Sequence, residues 1–191
     1  MKKLAATIIL FYYALSVSYA QGVEGPSEGK AVVYFVRVSS LGFAINFSYF
    51  DKDKFIGKFK GTNYMRYECE PGEHLFWSRS ENRDFITAEL EAGKIYFVEA
   101  VPQMGGLKAQ VQLVPINPKE GSKKLGKIEK LINKKLAESF SENELKNENE
   151  NLKDVITKGL EKYQEILTKG KKIDRLEKHM FYEKLPDVTD K

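Results

Sequence analysis

The sequence predicts a mainly β domain with a helical appendage, an α+β chain in which an antiparallel sandwich precedes two or three C-terminal α-helices. Three observations carry that expectation. Between residues 30 and 116, runs of β-branched and aromatic residues recur about every 8–12 residues, with no room for the crossover helices of a parallel α/β sheet. The aromatic residues are unevenly shared: 15 of the 23 Phe, Tyr and Trp lie in residues 21–116 and four in residues 117–191. Beyond Pro115 and Pro118 the apolar spacing changes from alternation to steps of three and four, and lysine and glutamate dominate. The expected organisation is a leader over 1–20, a linker over 21–29, a sandwich over 30–116, a charged helical extension over 117–185 and a tail over 186–191.

The leader is read from Lys2 and Lys3, a short apolar run from Leu4 to Val17, and small residues at Ser18 and Ala20. This is the order of a cleavable export signal, with cleavage expected after Ala20. The expected location is periplasmic or extracellular, with no stable membrane span after cleavage. The one cysteine, Cys69, has no partner for an internal disulfide. It alternates with Met65 and Tyr67 and so reads as a small inward-facing hydrophobe.

The first strand is expected over Ala31 to Val38, which is apolar at nearly every position, as befits a strand buried on both faces. Phe43, Ile45, Phe47 and Tyr49 alternate with smaller residues and predict a second strand. Further strands are expected at Phe55 to Phe59, Asn63 to Cys69, His74 to Arg79, Phe85 to Leu90, Ile95 to Val101 and Ala109 to Val114. Turn residues divide them, among them Asp51 to Lys54, Lys60-Gly61, Pro71-Gly72 and Ala92-Gly93. In the extension, Leu125, Ile128, Leu131, Ile132 and Leu136 form the stripe of one amphipathic helix. Ser141 and Glu144 have capping-box spacing and open a second, longer helix whose apolar positions run from Leu145 to Leu167. Gly170 is its expected stop. Ile173, Leu176 and Met180 are expected to start a last short helix.

Residues 29–116 resemble the bacterial family known as domain of unknown function 2846. The likeness lies in the opening strand Ala31-Val-Val-Tyr-Phe-Val-Arg37, in Phe55-Ile-Gly-Lys-Phe59 and Tyr64, in the turn Pro71-Gly72-Glu73-His74 and in Glu91-Ala-Gly-Lys-Ile-Tyr-Phe97. The resemblance implies a small immunoglobulin-like or carrier-type β-sandwich, exported or attached to the envelope. It brings no catalytic residues.

Chemistry-bearing motifs are few. No nucleophile elbow, zinc-protease helix, dinucleotide fingerprint or phosphate loop occurs in the sequence. Asp51-Lys52-Asp53 matches the start of a calcium loop, but Phe55 and Thr62 stand where oxygen ligands are needed, so it reads as a polar hairpin. His74, beside Glu68, Glu70 and Glu73, is the one motif histidine; it is either a ligand or proton carrier or the filler of a half-buried strand position. His74, Trp77, Phe76 and Tyr64 are the candidate binding residues, and a glycan or peptide reading expects two or more of Tyr49, Phe50, Tyr64, Phe76 and Trp77 exposed on a concave surface. No catalytic residue, metal site or cofactor is expected. Lys119 to Lys135 holds seven lysines against Glu120 and Glu129, a solvated helix face or a contact for an anionic membrane or glycan. The functional expectation is a non-enzymatic exported module for protein interaction or envelope structure. Its partner would be another envelope or secreted protein, or a glycan, but not nucleic acid; self-association through the C-terminal helices is a further option.

Overall fold

The computed structural model describes residues 22–105, 108–120 and 122–183, so the expected leader and tail lie outside the described residues. Among the described residues nine strands form two sheets. They are β1 Ala31–Arg37, β2 Asn46–Asp51, β3 Lys54–Lys60, β4 Asn63–Cys69, β5 Gly72–Arg79, β6 Arg83–Leu90, β7 Ile95–Gly105, β8 Lys108–Ile116 and β9 Asp174–Leu176. One sheet has the order β4-β1-β7-β8 and the other β3-β2-β5-β6-β9. Three helices follow β8: α1 Ser122–Ile132, α2 Glu142–Asn151 and α3 Lys153–Thr168. The sandwich with a C-terminal helical region is therefore the fold, as the sequence predicts.

Two pairings are parallel, β1 with β7 and β6 with β9, where an antiparallel pattern is expected. The reason lies in the connections. The turns at Lys60-Gly61, Pro71-Gly72 and Ala92-Gly93 do not close hairpins; each carries the chain from one sheet to the other. Repeated crossing lets β1 and β7 lie side by side and parallel without a helix between them. Pro71-Gly72 thus bends the chain across the sandwich rather than folding β5 back on β4.

Three apolar layers result. Between the sheets lie Val33, Phe35, Phe47, Tyr49, Met65, Phe76, Ile86, Tyr96 and Leu113. On the outer face of the first sheet, Val32, Tyr34, Val36, Tyr64 and Phe97 pack against Ile128, Leu131 and Ile132 of α1. Over the second sheet, Phe50, Phe55, Trp77 and Phe85 meet Ile156, with Leu145, Leu160 and Tyr163 around them. Consecutive β1 residues belong to opposite layers, which explains its unbroken apolar run. The C-terminal helices dock on the sandwich itself, one on each side counting α2 and α3 together.

The helices differ from their expected bounds at three places. Leu136 lies beyond α1 and is 74% exposed. The capping box is present, with the Glu144 N–H donating to Ser141 Oγ and the Glu144 carboxylate accepting from the Ser141 N–H. The expected long helix breaks at Leu152, where φ is −102° and ψ 11°, so that α2 covers β3 and α3 turns across β5 and β6. Gly170 ends α3 with φ 63°, its N–H bonding Leu167 O and the Lys171 N–H reaching Ile166 O. The segment expected to form a last helix is instead β9. Its Leu176 is fully buried between the sheets, and its backbone extends the β6 edge that would otherwise be open.

α3 lies tight against the indole of Trp77 at Gly159. A Cβ there would stand 2.5 Å from Trp77 Cη2, well inside contact distance. Gly159→Ala adds helix propensity of about 1 kcal/mol but overpacks this contact, and is expected to destabilise the chain by about 1–2 kcal/mol net, read as a lower urea midpoint.

Candidate functional site

His74 sits where β5 enters its sheet after the crossing at Pro71-Gly72, and Asp51 closes β2 next to it. The His74 Nδ1–H donates to Asp51 Oδ2 at 2.8 Å and its Nε2–H donates to the Glu70 carbonyl at 2.9 Å. The Tyr67 hydroxyl donates to the same Asp51 oxygen at 3.1 Å. The ring lies parallel to Phe76, 5.2 Å away. Burial pulls His74 toward the neutral form. The hydrogen bonds of Asp51, the Cys69 side chain and Glu70, with the Asp51 charge, outweigh that pull and hold its pKa at about 10, against 6.5 ordinarily. Burial and then the Asp51 charge push the Tyr67 phenol upward. At the rim, Lys30 pairs with Glu70, and Arg66 and the Ser27 N–H hold the Glu68 carboxyl down at about 2.

This cleft, about 290 Å³, collects the acidic neighbours that the sequence places around His74, except Glu73, which pairs with Arg175. Both ring nitrogens are committed as donors to acceptors, so the imidazolium has no lone pair to offer as a base. Its physical role is to clamp the end of β2 to the sheet-crossing bend. Cys69 beside it is buried, as its alternation predicts. Among the described residues no group of three His, Cys, Asp or Glu is placed to hold a metal ion.

The three aromatic candidates occupy the interior instead of a recognition surface. Phe76 and Trp77 are fully buried, and Tyr64 is 6% exposed. Trp77 stacks on Phe50 at 3.8 Å and donates its Nε1–H to Lys52 O at 2.8 Å. Tyr64 donates its hydroxyl to Lys135 O at 2.9 Å and faces Tyr34. Helices cover the outer faces that carry Trp77 and Tyr64, and Phe76 points between the sheets, so all three are core. Of the three, Phe76 packs on His74 from within the core, while Trp77 and Tyr64 belong to other layers.

A different surface is left exposed. The β1–β2 connection, expected as a strand from Phe43 on, forms turns until Asn46, and it presents Phe43 at 72% and Leu41 at 46% exposure. Arg37 shapes it. The residue is fully buried, with its guanidinium over the Phe47 ring at 4.3 Å. Nη1–H donates to Ile45 O at 2.9 Å, while Nη2 serves the carbonyls of Leu41 and Gly42. One side chain thus ties three loop carbonyls together. The segment after α1 lies alongside: Lys135 reaches Thr62 O, and the Glu138 N–H donates to Tyr64 O. The Phe43 carbonyl, in turn, stands 3.5 Å from where a Gly61 Cβ would be. The Phe43 backbone and the segment that carries Leu136 thus both border the β3–β4 turn. Sequence reasoning missed this patch by giving Phe43 to a strand; the signal available was a large apolar residue, Leu41, inside the Ser39-Ser40-Leu41-Gly42 turn with Phe43 directly after it.

His74 yields a pH prediction. Its folded pKa lies above the unfolded value, so its contribution is complete below about pH 6.5 and is lost as pH rises through about 10. His74→Gln is expected to cost about 1.5–3 kcal/mol at pH 6 and far less above pH 10, measured by urea unfolding across that range.

Over 111 residues the chain is 28% identical to an uncharacterised protein of Haemophilus influenzae, a match covering 57% of this chain and 66% of that protein. The chain thus spans just under two thirds of that relative's length. No family model matches the chain, and no solved structure matches it.

Proposed function

We propose that the chain is a non-enzymatic exported module that recognises a partner through the surface around Leu41, Phe43 and Leu136. The observation that carries this reading is the Arg37 clamp. A buried cation is spent on three carbonyls of a short loop whose outward side chains are apolar and exposed. Single exposed apolar residues are ordinary on a protein surface, whereas several gathered on a rigid frame are the usual mark of an interaction site. The basic start, apolar run and small residues of positions 1–20 support export. No helix among the described residues is long and apolar enough to cross a membrane.

Membership in the domain of unknown function 2846 family belongs to the same proposal. Its support is the position of the quoted motifs. Ala31–Arg37 is a central strand, Pro71 to His74 makes a sheet crossing, and Glu91 to Phe97 leads into the strand beside β1. The glycan reading loses its basis in exposed aromatics, since Tyr49, Phe50, Phe76 and Trp77 are fully buried and Tyr64 nearly so.

Photo-crosslinking in growing cells tests the proposal. A benzophenone amino acid replacing Phe43 is expected to give discrete adducts that the same group at Lys146, exposed on α2, does not. Equal labelling at the two positions, or the absence of both protein and lipid adducts at position 43, overturns it.

A further inference from the structure

We propose that the surface carrying Phe43 is a docking face for an anionic lipid bilayer, an inference that rests on the recognition reading above and names its partner. The first support is charge. Lys123, Lys127, Lys130 and Lys134 follow one another at steps of four, three and four, which places them on one ridge of α1 and the turn after it. All four are exposed, while Ile128, Leu131 and Ile132 face the sheet. Among the described residues no carboxylate pairs with any of these four. The one acid within α1, Glu129, accepts the Tyr182 hydroxyl at 2.8 Å, and Lys124 is held by Glu99. The ridge is therefore an unbalanced line of positive charge.

Position is the second support. Lys127, Lys130 and Lys134 border a shallow, mostly apolar groove of about 320 Å³ whose other wall is Val38 and Thr62. Val38 opens the Arg37-pinned loop and Thr62 belongs to the turn bordered by the Phe43 backbone and the segment that carries Leu136. The lysine ridge and the exposed apolar side chains thus share one end of the sandwich. A protein partner needs neither an excess of one charge nor a loop held stiff for shallow insertion. An anionic bilayer satisfies both, with lysines meeting headgroup phosphates and Phe43, Leu41 and Leu136 entering the acyl boundary. A soluble anionic polysaccharide would use the lysines but leave the apolar side chains without a role.

The test is sedimentation of the full-length chain with vesicles of pure phosphatidylcholine and of equimolar phosphatidylcholine and phosphatidylglycerol, at low and high salt. The expected result is binding to the anionic vesicles at least about tenfold tighter than to the neutral ones, weakened by salt. Phe43→Ser, and the combined Lys127→Glu, Lys130→Glu and Lys134→Glu, should each remove most of that preference. A control with equal charge change, Lys146→Glu, Lys153→Glu and Lys158→Glu on α2 and α3, should retain it. All substituted positions are exposed, and unchanged unfolding midpoints verify the fold. Binding to anionic vesicles that the ridge and Phe43 variants leave intact overturns the proposal. So does salt-sensitive binding that depends on the ridge lysines but not on Phe43, which marks a polyanion contact. If the vesicles fail while the Phe43 crosslinker still captures one discrete protein, the lipid partner is wrong and the recognition surface stands. If both fail, both readings fall.

Discussion

Phe50 and Trp77, stacked 3.8 Å apart on the outside of a sheet, pose the problem that the rest of the molecule answers. A sandwich buries the two inner faces of its sheets and ordinarily leaves the outer faces to water. Here the outer faces carry Trp77, Phe50, Phe55 and Phe85 on one side and Tyr34, Tyr64 and Phe97 on the other. Each such side chain left in water forgoes about 1.5–3 kcal/mol of burial. The charged C-terminal region is thus part of the fold, supplying one covering layer for each face. Gly159 permits α3 to lie directly on the indole, and the break at Leu152 lets one apolar stripe follow two differently inclined parts of the sheet.

The second constraint is connectivity. Because β3 leads to β4, β4 to β5 and β6 to β7 across the sandwich, the ends of the layers must be held shut by side chains rather than by hairpin ladders. The His74–Asp51–Tyr67 cluster does this at one crossing. At the far side of the chain, Tyr96 donates its hydroxyl to Lys178 O at 3.1 Å and the Tyr182 N–H bonds Ile95 O at 2.7 Å. The stretch after β9 is thereby wrapped from the edge of one sheet onto the outer face of the other.

Much of this was legible in the sequence wherever the signal is local. The unbroken apolar run of Ala31 to Arg37, the alternation of Ile86, Ala88 and Leu90, and the Ser141–Glu144 box all state their structure directly, because periodicity and capping act over a few residues. What failed was non-local. Ile173 and Leu176 have helical spacing, yet the open edge of β6 offers backbone hydrogen bonds that a three-residue strand satisfies. Pro71-Gly72 looks like a hairpin turn, and nothing within the turn tells which sheet the next strand will join. Trp77 and Tyr64 look like a recognition surface because their covering helices lie some sixty to ninety residues further along the chain, and Phe76 because nothing local tells that its face of β5 turns toward the other sheet. The candidate surface escaped for the opposite reason: Phe43 obeys a strand pattern, and only the distant geometry of Arg37 bends it out.

Arg37 is where the fold and the proposed recognition surface meet. A guanidinium without solvent contact is costly, and a methylene-rich apolar residue could have filled the same space beside Phe47 more cheaply. The arginine forms no ion pair among the described residues that would offset the loss of water; its hydrogen bonds go to the carbonyls of Leu41, Gly42 and Ile45. Those bonds determine the shape of one eight-residue connection and little else in the core. Stability alone gives no reason to shape that loop so firmly, since loops of this length close easily without such help. What the clamp achieves is an outward, fixed placement of Leu41 and Phe43, at the same end of the sandwich where the lysines of α1 find no acidic partners. A fold that hides nearly every large apolar side chain between its sheets or under a helix, yet commits a fully buried arginine to keeping two in water, treats that exposure as a feature of the surface.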